Sequence, residues 1–435
     1  MKGKKLLLSA SMLLTASIAI AQQVDLTLQR AIEIALAENP TIRVADKDIE
    51  LKQVASDEAW QALLPTIDGS LSLSHSIKVA EMRTSMGTFK MGMDGSTTAN
   101  GGVTLALPLF APAVYQNMKL TKEDILLAQE KARGSRLDLI NQVTKAYYGA
   151  LLSSDSYEVM KKSYEVAKEN YDLVAQKFNV GKVSEYDKIT AEVQLRSMNS
   201  AMVSAESGKT LSMLQLKVLM GINPDLDCTI TETLKQYENA LSLQGTEYQA
   251  SELDNNSALR QLDKNITLLQ RTRKILSTNF MPTVAMTLSG QYQSMSNDNW
   301  NVFKYKYSPS LSLAFAVSVP IFHASNFTKM KSNKITQEQL GDTRLNTYRQ
   351  LNMAAESYKQ NMISNLAQLE SNAESVKQAE KAVSISGKRY EVGRGTILEL
   401  NQSETALTQA ELTYMQSIYN YLVNKADLDY TLGRE

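Results

Sequence analysis

The sequence predicts an α+β membrane protein in which each chain lends four β-strands to a barrel that several copies must close, and adds long coiled-coil helices. Three observations carry this reading: an internal two-fold repeat, strand segments with one apolar and one serine-rich face, and long proline-free helices with a seven-residue apolar period.

The repeat sets the frame. Leu105–Phe110 (Leu-Ala-Leu-Pro-Leu-Phe) is echoed by Val317–Phe322 (Val-Ser-Val-Pro-Ile-Phe), and Lys177–Lys182 by Arg389–Arg394. Pro108 to Pro320 and Gly181 to Gly393 are both 212 residues apart, an agreement across 73 intervening residues that argues for duplication. Upstream, Leu64-Pro65-Thr66 pairs with Met281-Pro282-Thr283, and Asn39 with Asn256, at an offset of 217. The five-residue change falls between the prolines, where a loop absorbs it. Each half therefore reads as helix, proline, strand, loop, strand, proline, long helix, glycine turn, helix. The expected organisation is an export signal over 1–21, a first repeat over 22–222, a connector over 223–251 and a second repeat over 252–435.

The signal rests on Lys2, Lys4 and Lys5, an apolar run from Leu6 to Ile20, and the small-x-small pattern Ala19-Ile20-Ala21. It contains no Cys, which argues against a lipid-anchored terminus. Its removal leaves 43 basic and 46 acidic residues, a balance that gives no reason to expect nucleic acid. Cys228 is the one cysteine, so no disulfide forms within a chain. No later stretch is long and apolar enough for a membrane helix. An exported chain of this kind is periplasmic, secreted or an outer-membrane barrel.

Between the prolines the pattern has period two. Ile67, Leu71, Leu73, Ile77 and Val79 alternate with Asp68, Ser70, Ser72, Ser74, Ser76 and Lys78; Val103, Leu105 and Leu107 continue the theme. In the second half Val284, Met286, Leu288 and Tyr292 form one such face, and Leu311, Leu313, Phe315, Val317 and Val319 another. A soluble sandwich shows the same alternation. These strands, however, are about as long as tilted membrane strands, roughly 9–11 residues, and a serine-rich face suits a water-filled lumen. Four strands cannot close a barrel, and an open edge cannot sit in lipid. Two copies would give eight strands with a filled interior; three would leave a passage.

The stretch from Pro112 to Gln176 has no proline and would extend roughly 100 Å as a helix. Ala150, Tyr157, Tyr164, Tyr171 and Phe178 recur every seven residues, as do Met362, Leu369, Val376, Val383 and Tyr390, and Leu400, Leu407, Tyr414, Tyr421 and Leu428. Such a period implies supercoiled helices. Each long helix ends at a glycine turn. Gly181 and Gly393 suit a left-handed position after the helix, Ser184 and Thr396 suit the next N-cap, and Asp187 and Glu399 fall where a capping box puts its acid. Capping alone accounts for these acids; rings of carboxylate at a pore mouth account for them equally.

Taken as an ordered set, the duplicated strand pairs, paired long helices and two Val-Gly turns resemble the TolC-type outer-membrane efflux protein family over nearly the whole mature chain. The resemblance implies a homotrimer in the cell outer membrane, with a twelve-stranded barrel continued by a twelve-helix periplasmic tunnel. It implies an exit duct for multidrug efflux or type I secretion, fed by a periplasmic adaptor and an inner-membrane pump, proton-driven or ABC. The adaptor would dock at the tips Val180-Gly181-Lys182-Val183-Ser184 and Val392-Gly393-Arg394-Gly395-Thr396. Glu399 matches the first acid that narrows the closed mouth in the family, while Gln402 holds the second position without charge. Tyr390 and Asp187 match a Tyr–Asp latch between inner and outer helix pairs. The family's arginine constraint falls on Gly395, which has no side chain to serve; Arg394 is adjacent but points elsewhere on a helix-like turn.

Other classes have less support. His75 and His323 are the two histidines, and neither has metal-ligand spacing with another His or Cys. No nucleophile elbow, phosphate loop or cofactor fingerprint occurs, so neither an enzyme nor a bound cofactor is expected. Met82, Met86, Met91 and Met93 read as chance in a chain with 19 methionines. A structural or adhesive periplasmic coiled-coil protein would explain the heptads, but not two strand pairs at matched positions.

Overall fold

The computed structural model describes residues 24–85, 87–90, 92–242, 247–297 and 301–434. The expected signal at 1–21 lies outside them, as do Met86 and Met91. The duplication is visible in element lengths: helices α2 (Pro40–Gln61) and α5 (Ser257–Thr278) have 22 residues each, α3 (Pro112–Asn179) and α6 (Ala324–Glu391) 68, and α4 (Glu185–Met220) and α7 (Ile397–Leu432) 36. The chain forms two compact units. One comprises residues up to Asn39 with Leu139–Glu247 and Tyr358–Asp427; the other comprises Pro40–Asp138, Tyr248–Ser357 and the residues from Leu428.

The second unit holds an antiparallel four-stranded sheet in the order β2 (Thr66–Ser76), β5 (Ser96–Phe110), β7 (Thr283–Ser296), β8 (Ser308–Ser318). The register turns the period-two pattern into rows. Ile67, Leu105, Leu288 and Leu313 lie opposite one another across all four strands, and the next row is Asp68, Thr104, Ser289 and Ser312. The apolar rows stand in the open: Leu71 is 93% exposed and Leu311 78%. Close approach of strands explains Gly102, where an added Cβ would meet the Gly290 carbonyl oxygen at 2.8 Å. Strands β2 and β8 each keep one unpaired edge among the described residues.

Strand limits differ from the periodic pattern. β2 stops at Ser76, so Ile77 and Val79 belong to the loop, where the Val79 N–H donates to Asp94 Oδ1 at 2.8 Å. β8 stops at Ser318, before Val319. Alternating hydropathy persists past the last ladder bond because it has no marker for where pairing ends. The longer first loop carries its own hairpin, β3 (Glu81–Thr84) with β4 (Gly87–Lys90).

In the first unit, a two-residue parallel pair joins β1 (Val24–Asp25) to β6 (Cys228–Thr229), and helix α1 spans Leu28–Glu38. The stretch after β6 docks on α3 through carboxylates on both sides. Glu232 Oε2 accepts hydroxyl bonds from Tyr147 and Tyr237, both at 2.6 Å. Burial is the main cause that pushes both phenols up, with the Glu232 hydrogen bond next. Asp155 Oδ2 accepts the Leu234 N–H at 2.9 Å, and the Tyr421 hydroxyl donates to the Ser242 carbonyl at 2.7 Å. Polar rungs join α3 to α7: Ser163 with Thr408 at 2.7 Å, Asn170 with Glu404 at 2.8 Å, and Lys145 with Asp427 at 2.9 Å. The repeat also marks the ends of α4 and α7. Asn39 Nδ2 donates to the Leu219 carbonyl at 2.7 Å in this unit, and in the other unit Asn256 donates to the Thr431 carbonyl at 2.8 Å.

Candidate functional site

Both hairpin tips lie in the first unit. At the first, α3 ends in a Schellman turn: the Gly181 N–H donates to the Phe178 carbonyl at 2.8 Å and the Lys182 N–H to the Lys177 carbonyl at 2.9 Å. The second tip repeats this with Gly393 to Tyr390 at 3.2 Å and Arg394 to Arg389 at 2.8 Å. Gly181 and Gly393 have φ of 75° and 74°, the left-handed region that disfavours side chains. Val180 and Val392 project outward, 67% and 70% exposed.

The α4 start carries the expected capping box. Ser184 Oγ accepts the Asp187 N–H at 3.1 Å, and Asp187 Oδ2 accepts the Ser184 N–H at 3.1 Å and its hydroxyl at 2.7 Å. At α7, Thr396 Oγ1 accepts the Glu399 N–H at 3.2 Å. Here the two tips part company. The Glu399 carboxylate lies 3.6 Å from the Arg389 guanidinium, and Arg389 Nη2 also donates to the Arg394 carbonyl at 3.3 Å. The Gly395 N–H adds a second bond to the Arg389 carbonyl at 3.0 Å. A Cβ on Gly395 would sit 3.2 Å from Arg389 Cβ and from the Tyr390 nitrogen, so a larger residue would have to push the turn back by a few tenths of an ångström.

Beneath the turns lies a shared core of Val174, Ala191, Tyr390, Ile397 and Leu400, with Tyr171 and Val183 packed against it. Tyr390 is 8% exposed, and its hydroxyl has no hydrogen-bond partner among the described residues. Burial pushes its phenol up, with a smaller contribution from the Asp187 charge. Lys177 Nζ sits 4.6 Å over the same ring. The tips thus bring Tyr390 and Asp187 near each other without bonding them within the chain. Gln402 is exposed, in a groove of about 660 Å³ between α4 and α7 lined also by Ile189, Val193 and Leu398. Neither the Arg389–Glu399 pair nor the Lys177 contact was legible in the sequence: both join residues ten or more positions apart, outside any local capping pattern.

Comparison with known proteins places this geometry. The family model described as outer membrane efflux protein matches residues 31–222 and 231–434. Outer membrane protein TolC of Vibrio cholerae is 19% identical over 351 residues, which cover 78% of this chain and 77% of that protein. The alkaline protease secretion protein AprF of Pseudomonas aeruginosa is 23% identical over 409 residues, 92% of this chain and 83% of that one. Among solved structures, the CmeC outer membrane channel of Campylobacter jejuni has the same fold, with a TM-score of 0.74 at 18% identity over 93% of this chain and 85% of that one. With the family model spanning most of its length, the chain belongs to the outer membrane efflux protein family: it is an outer-membrane protein of TolC type, and not an enzyme.

Proposed function

We propose that three copies of this chain form an exit duct through the outer membrane, serving a tripartite efflux or type I secretion system. The observation that carries this is the four-stranded sheet. Its apolar rows are exposed and its outer strands have unpaired edges, a surface that lipid tolerates only when the edges pair. Joining β8 of one copy to β2 of the next closes a ring; three copies give twelve strands with serine-rich rows lining the passage. The duplicated elements support a first repeat over 22–222, a connector over 223–251 and a second repeat over 252–435, after removal of a signal over 1–21.

Cargo arrives from an inner-membrane pump, proton-driven or ABC, through a periplasmic adaptor. The adaptor docks at the exposed tips, residues 180–184 and 392–396. Glu399 and Gln402 line the mouth. Tyr390 and Asp187 are the latch: the buried phenol has no hydrogen-bond partner among the described residues, and Asp187 is the nearby carboxylate whose charge it feels. A secretion role draws support from the relative named for alkaline protease secretion.

The test is direct. Outer-membrane fractions should yield heat-modifiable trimers that conduct ions in planar bilayers. Recovery as a soluble periplasmic rod would reject the duct.

A further inference from the structure

The tips also bear on which cargo the duct admits. Glu399 does not stand alone at the mouth: the Arg389 guanidinium lies 3.6 Å away and also donates to the Arg394 carbonyl at 3.3 Å. The second acidic position is Gln402, which carries no charge. Around them, residues 177–189 and 388–402 hold six basic against four acidic side chains. Along the serine-rich face of the sheet, Asp68 is the charged side chain, set among Ser, Thr, Gln and Asn.

A mouth repels anions only if its carboxylates present net negative charge to the opening. Here Glu399 has its counter-ion in the same chain, so any three-fold assembly repeats a neutral pair at that position rather than a bare carboxylate. We infer that Arg389 sets the charge selectivity of this duct by neutralising Glu399, and that the duct admits anionic as well as cationic and neutral solutes. This rests on the exit-duct reading and names the substrate class it would pass. Arg389 acts through Glu399; it is a positioning residue, not a cargo ligand.

The experiment measures the K⁺/Cl⁻ permeability ratio of purified trimers in planar bilayers at roughly 0.1 M salt, where fixed charges are only partly screened. The native protein should give a ratio near unity. Arg389→Gln, which keeps a donor for the Arg394 carbonyl, should raise it several-fold toward cations. Arg389→Lys should hold the native value, and adding Glu399→Gln to Arg389→Gln should restore it. A merely structural arginine would show no rescue by charge alone. Strong cation selectivity in the native protein, or a ratio that Arg389→Gln leaves unchanged, overturns the inference. Intact trimers that conduct nothing would instead reject the duct itself.

Discussion

The Asn39 side-chain amide donates to the main-chain carbonyl of Leu219, 2.7 Å away at the end of α4. Its repeat partner Asn256 does the same for Thr431 and also caps α5, its Oδ1 accepting the Ala258 N–H at 2.9 Å. A helix end leaves carbonyls without partners, and each asparagine supplies one. Asn39→Ala should destabilise the protein by about 1–2 kcal/mol, the usual result of stranding a buried acceptor. Asn256→Ala removes the same kind of bond together with the α5 cap, worth about 1 kcal/mol, and should destabilise the protein by about 2–3 kcal/mol. Denaturant titration of both variants checks these losses.

Glycines at positive φ should split into two classes. Gly181 has no neighbour within 4 Å of an added Cβ, so Gly181→Ala should cost only the backbone term, about 1 kcal/mol. Gly221 has the same backbone shape, but its Cβ would stand 2.9 Å from main-chain atoms of Glu38 and Asn39. Gly221→Ala should therefore be markedly worse. Equal melting temperatures would contradict this account.

Glu404 gives a pH dependence. Burial pushes its carboxyl up, against a smaller opposing pull from Asn170. A carboxyl raised in the folded chain binds more protons there than in the unfolded chain. Its unfavourable contribution is therefore fully present above the folded value and fades as pH falls toward the ordinary range near 4.5. Glu404→Gln keeps an acceptor for Asn170 and loses the buried charge. It should be more stable than the native protein at neutral pH, with the gap closing on acidification. A gap constant with pH would mean that something other than the charge is responsible.

The latch proposal predicts that Tyr390→Phe or Asp187→Ala raises single-channel conductance with the trimer intact. The two should differ in stability. Asp187→Ala removes the acid of the α4 capping box, at about 1 kcal/mol, whereas Tyr390→Phe deletes a hydroxyl that has no partner among the described residues. Unchanged conductance in both variants would reject the latch.

Much of this was legible in the sequence. Pro108, Pro320, Gly181 and Gly393 fixed the repeat, and helix α3 ends at Asn179, just before the glycine turn expected at Gly181. Local rules sufficed there because caps and heptads act within one or two turns. They failed where partners are remote. Nothing near Glu232 in the chain announces that it takes the hydroxyl of Tyr147, 85 residues away. Likewise nothing in the Gly-Arg-Gly turn announces that Arg389 folds back to Glu399. Strand limits were missed for a different reason: at Ile77 and Val319 the apolar alternation outlasts the ladder.

The unpaired edges of β2 and β8 have a genetic consequence. In a head-to-tail ring each subunit is both acceptor and donor, and growth stops only when the last edge meets the first. A subunit whose β8 edge is spoiled can still join one neighbour through β2 and then blocks closure. Such an allele should poison wild-type partners when co-expressed, in proportion to how many mixed rings contain it. A defect confined to a tip leaves the ring able to form and should be far more readily masked by a normal copy.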